Sequence, residues 1–116
     1  TQLLHGYALD SPRPGEQNDV GKLHIKGWVI GKDSPAKKIE VVGNGKIIKE
    51  IAVDFPRPDV AALYQVKNAD KSGFETELWL SSIPEELRML IQVYLDSGTR
   101  IILREFLVQT FINYSI

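Results

Sequence analysis

The sequence predicts an all-β sandwich of about seven antiparallel strands with one short helix. Three observations carry that expectation: period-2 apolar alternation in several segments, turn signals at short intervals between them, and an Asn-Gly pair between two Val/Ile-rich arms. The segment "KLHIKGWVI", residues 22–30, sets Leu23, Ile25, Gly27 and Val29 against His24, Lys26, Trp28 and Ile30, which is one strand with an apolar face. In "KKIEVVGNGKIIKEIAV" the pair Asn44-Gly45 suits a type I′ turn, since both residues tolerate positive φ. Ile47 and Ile48 are adjacent in the second arm, so a bulge or two-sided burial is expected there.

The stretch "GFETELWL" places Phe74, Thr76, Leu78 and Leu80 on one face and Glu75, Glu77 and Trp79 on the other. "RMLIQVYL" and "RIILREFLVQTFI" flank "DSGT" and read as a second hairpin with a four-residue loop. Phe74, Leu78, Ile91 and Val93 are the expected inter-sheet core. A shorter strand around Tyr7, Ala8 and Leu9 precedes the loop "DSPRPGEQNDVG". The helix is placed at about residues 58–64, "PDVAALY": Pro58 suits the first helical position, and Asp59 favours the positive end of the helix dipole. Its flank "VDFPRP" then reads as a connector, with Arg57 pairing Asp59 or Asp54 at the surface.

One domain spanning residues 1–116 is expected, because a chain of this length buries roughly two thirds of its unfolded surface. The chain begins with Thr1 and its single methionine is Met89, so excision from a longer polypeptide is expected. With 14 basic and 15 acidic side chains, the formal charge of −1 supplies no cationic field for a phosphate backbone, and no nucleic-acid partner is expected. No apolar run approaches the roughly 20 residues of a membrane span. The absence of cysteine removes disulfides and thiolate chemistry and leaves the compartment open, with the cytoplasm slightly favoured.

No constellation points to catalysis, a metal or a cofactor. His5 and His24 lie in no sequence-local metal pattern, Glu85 and Glu86 read as a solvated turn, and neither a Gly-x-Ser-x-Gly elbow nor a strand-to-helix phosphate cradle is present. The isolated domain is therefore not expected to be an enzyme, although a parent chain could carry a transferase. The aromatics are more informative. Trp28 and Trp79 fall in the polar phase of their strands, and two indoles on one outer face would stack sugar rings, with Glu75, Glu77, His24 and Lys26 as hydrogen-bonding neighbours. The opposed arrangement has the 58–64 helix fold over that face and bury both rings under Val60, Leu63 and Tyr64. Both arrangements are open at this point.

The segments "GYALDSPRPG", "GKLHIKGWVI", "KKIEVVGNGK", "FPRPDVAALY", "SGFETEL" and "DSGTRIIL" resemble a β-sandwich accessory module of large bacterial proteins. In such proteins the module lies beside glycosyltransferase or methyltransferase domains that build surface polysaccharides. The pattern is also similar to bacterial immunoglobulin-like domains, and it covers Gly6 to about Leu103. The resemblance implies a non-catalytic accessory role in recognising or positioning an oligosaccharide, with neighbouring domains of the parent chain as further partners. The alternative is a structural spacer or protein-interaction domain without a ligand.

Overall fold

A computed structural model describes residues 2–13, 22–79, 86–109 and 112–115. The chain runs β1 (Leu4–Ser11), β2 (Lys22–Gly31), β3 (Ala36–Gly43), β4 (Lys46–Ala52), α1 (Pro58–Tyr64), β5 (Gly73–Trp79), β6 (Glu86–Leu95), β7 (Arg100–Gln109) and β8 (Ile112–Ser115). A three-stranded sheet of order β1-β2-β5 packs on a sheet of order β4-β3-β6-β7-β8, and every strand pair is antiparallel. Seven main strands and one short helix thus match the expected sandwich. β8 is additional: the closing apolar run divides, and Ile112–Ser115 turns back to pair with the end of β7.

The alternation in the sequence becomes the inter-sheet core. Leu23, Ile25 and Val29 from β2 and Phe74 and Leu78 from β5 meet Ile39 and Val41 from β3 and Met89, Ile91 and Val93 from β6, all buried. Each is the inward residue of a period-2 strand, so one face of each sheet is removed from water. The Asn44-Gly45 turn forms with φ of 48° and 85°, as a type I′ hairpin requires. The expected irregularity in the second arm is a bulge rather than two-sided burial: Val41 faces Lys49 and Val42 faces Ile47, so Ile48 has no partner in the ladder, and both isoleucines are exposed.

The connector "VDFPRP" carries the chain from one sheet to the other. Val53 N–H donates to the Lys37 carbonyl in β3 at 3.2 Å, and Phe55 then exchanges two 2.9 Å backbone hydrogen bonds with Gly73 at the start of β5. Arg57 N–H donates to the Asp70 carbonyl at 2.8 Å, and Pro58 opens α1 without missing an amide hydrogen. The helix closes at Gln65, which takes a left-handed φ of 50° and donates its N–H to the Ala61 carbonyl. Glu86 opens β6 instead of lying in a turn, while Leu80 and Glu85 lie outside the described residues.

Candidate functional site

The outer face of the β1-β2-β5 sheet carries the residues singled out from the sequence. The register sets Lys22 opposite Trp79, His24 opposite Glu77, Lys26 opposite Glu75 and Trp28 opposite Gly73. All of these share one side of the pleat, so Trp79, Glu77, Glu75, His24 and Lys26 line a single strip. Lys22 belongs to it too. The sequence reading passed over it, although its position two residues before His24 puts it in the same phase as His24 and Lys26.

Trp28 and Trp79 do not form a shared platform. Six residues on β5 separate Trp79 from Gly73, the partner of Trp28, a run of about 20 Å at about 3.3 Å per residue. α1 covers only the Trp28 end. There Trp28, 9% exposed, packs with Ile30, Val60 and Ala69 as a second small core, and the Tyr64 ring lies 5.1 Å from it, centroid to centroid, at a 58° tilt. Gly6 makes this approach possible, because a Cβ there would run into the Tyr64 hydroxyl and sit 3.1 Å from Cη2 of Trp28. Leu63, expected to help cover the rings, points away and is 76% exposed. Trp79 is 71% exposed.

Along the strip the charges pair diagonally. Lys22 Nζ lies 3.0 Å from Glu77 Oε2 and 5.4 Å from the centre of the Trp79 ring, and His24 Nε2 lies 2.6 Å from Glu75 Oε2. Lys26 has no ion pair among the described residues. Toward α1 the strip ends at Arg57, whose Nη1 donates to Asp10 at 2.8 Å while Nε and Nη2 grip Asp59 at 3.0 and 2.9 Å. Asp10, from β1, takes the place expected for Asp54. The hydrogen bonds from Arg57 hold the Asp59 carboxyl down to about 2, and the two carboxylates raise the affinity of Arg57 for its proton.

Chemically, the strip offers one exposed indole, two engaged carboxylates and one ammonium, that of Lys26, without an ion pair among the described residues. No cluster of three or more metal-ligating side chains occurs among the described residues. At the α1 end of the sandwich, away from Trp79, a cleft of about 190 Å³ opens between Val29, Ile30, Val53, Asp54, Lys71 and Ser72. That is below the roughly 300 Å³ at which small-molecule pockets usually begin.

No family model matches the chain, and no curated protein matches it. A solved structure of the fibronectin(III)-like modules of CbhA from Clostridium thermocellum is similar, with a TM-score of 0.53 at 16% identity over 96% of this chain and 46% of that one. This chain therefore spans less than half the length of that neighbour. At such identity the likeness concerns the fold: this chain is an immunoglobulin- and fibronectin(III)-like β-sandwich.

Proposed function

We propose that the chain is a non-catalytic accessory module of a larger bacterial enzyme and that its β2-β5 strip helps to recognise or position carbohydrate in the synthesis of surface polysaccharide. The observation that carries this is Trp79, an indole 71% exposed at the end of a strip of hydrogen-bonding side chains. An exposed ring of that size is worth its hydration cost when something stacks on it, and the flanking carboxylates, imidazole and ammonium groups supply partners for sugar hydroxyls. A single stacked ring contributes on the order of 1 kcal/mol, so binding to one module is weak and gains from tethering to an enzyme or from repetition. Affinity electrophoresis in gels containing bacterial surface polysaccharide tests it. Retardation of the wild type that is lost in Trp79→Ala supports the strip, and equal migration of the two proteins contradicts it.

A second reading, a spacer or docking domain, is favoured by Ile47 and Ile102. Both are exposed, and the register places them on the outer face of the five-stranded sheet, beside the nearly buried Val42 and opposite Gln92 respectively. Sedimentation discriminates the two: self-association lost in Ile102→Lys supports docking, and a monomer at all concentrations removes docking between copies.

A further inference from the structure

We infer that the strip selects carboxylate-bearing glycans, with Trp79 stacking a sugar ring and Lys26 pairing with a uronate further along the chain. This deepens the carbohydrate reading and rests on it. The basis is which charges are already taken. Glu77 is engaged by Lys22 at 3.0 Å, Glu75 by His24 at 2.6 Å, and beyond them Arg57 is saturated by Asp10 and Asp59. Lys26 is left half-buried on the same face, with no ion-pair partner among the described residues.

A cationic amino sugar would find both carboxylates occupied and would meet the Lys26 ammonium. A neutral sugar gains stacking and hydroxyl hydrogen bonds alone. A uronate gains these and a charge-assisted contact that needs no internal ion pair to break. The spacing suits such a ligand: Trp79 and the Lys26–Glu75 pair are four residues apart on β5, about 13 Å at about 3.3 Å per residue, which calls for a short oligosaccharide rather than one ring. α1 and the Arg57 cluster close the strip beyond Lys26, so the charged sugar lies toward α1 and the stacked sugar at the Trp79 end.

Short oligogalacturonate and its fully methyl-esterified form test this, since they share a backbone and differ in charge. Trp79 fluorescence at low salt should report about two- to fivefold tighter binding of the acid, the range an exposed ion pair supplies. The preference should fall with added salt, vanish in Lys26→Gln and survive in Lys26→Arg. Equal affinity for acid and ester in the wild type, or a preference that persists in Lys26→Gln, overturns the charge assignment while leaving the stacking intact. Binding detected calorimetrically that is unchanged in Trp79→Ala overturns the carbohydrate strip itself, and so does absence of binding by either probe.

Discussion

Glu40 is a carboxylate with its side chain only 1% exposed, although it points to the outer face of the five-stranded sheet. Arg100 donates to it at 2.8 and 3.3 Å, Gln92 at 2.8 Å, and Tyr94 supports the cover by stacking under Arg100 and Lys38. The Arg100 hydrogen bond, aided by Gln92 and opposed by burial, holds the Glu40 carboxyl below the usual glutamate range. A carboxyl whose folded value is depressed stabilises the fold above its unfolded value, about 4.3, and that contribution is lost as pH falls through the folded value. Glu40→Gln should therefore cost about 1 to 3 kcal/mol at neutral pH and progressively less below pH ~4. Urea melts across that range check it, and a constant difference down to the lowest pH would show that the charge on Glu40 is not what stabilises. Trp28 makes the contrasting case of an apolar group on an outer face. Trp28→Ala should cost about 3 to 5 kcal/mol, and Trp79→Ala should leave the melting midpoint nearly unchanged.

At the level of elements, the turn of the β3-β4 hairpin and the extent of α1 were legible because their signals are local. Asn44-Gly45 fixes a turn from two residues, and Pro58 with Asp59 fixes a helix start from two more. Gly45→Val should destabilise by roughly 1 kcal/mol or more, since a β-branched residue would be forced to a φ of 85°. An unchanged denaturation midpoint would remove the turn as a determinant of register. The bulge at Ile48 was signalled by adjacent isoleucines, but its exposure was not, because β4 is a sheet edge and edges are assigned only once strand order is known. A second bulge lies at Leu103, where Ile91 faces Arg104 and Gln92 faces Ile102. It turns Arg104 so that it donates to the Pro12 carbonyl at 2.6 Å, a tie between the sheets that no local pattern announces.

Across the whole molecule, period-2 alternation identified the buried faces, and Phe74, Leu78, Ile91 and Val93 all lie in the core as expected. Leu78→Ala should cost about 2 to 5 kcal/mol by denaturant melt, and a loss under about 1 kcal/mol would invert the phase of β5. Alternation also gave Trp28 and Trp79 the same face. It could not give their separation along that face, which depends on the β2-β5 register, nor the reach of a seven-residue helix, which covers one end only. Likewise the Glu40–Arg100 and Arg57–Asp10 pairs join residues 60 and 47 positions apart, beyond any local pattern. A sandwich that buries one indole and presents the other is the central claim, and acrylamide quenching of the single-tryptophan variants Trp28→Phe and Trp79→Phe tests it most directly, with and without oligosaccharide. The protein that retains only Trp79 should be strongly quenched and then protected by the sugar, while the protein that retains only Trp28 should be shielded in both conditions. Equal shielding of the two indoles in the free protein, or quenching of Trp79 that the sugar leaves unchanged, would contradict it.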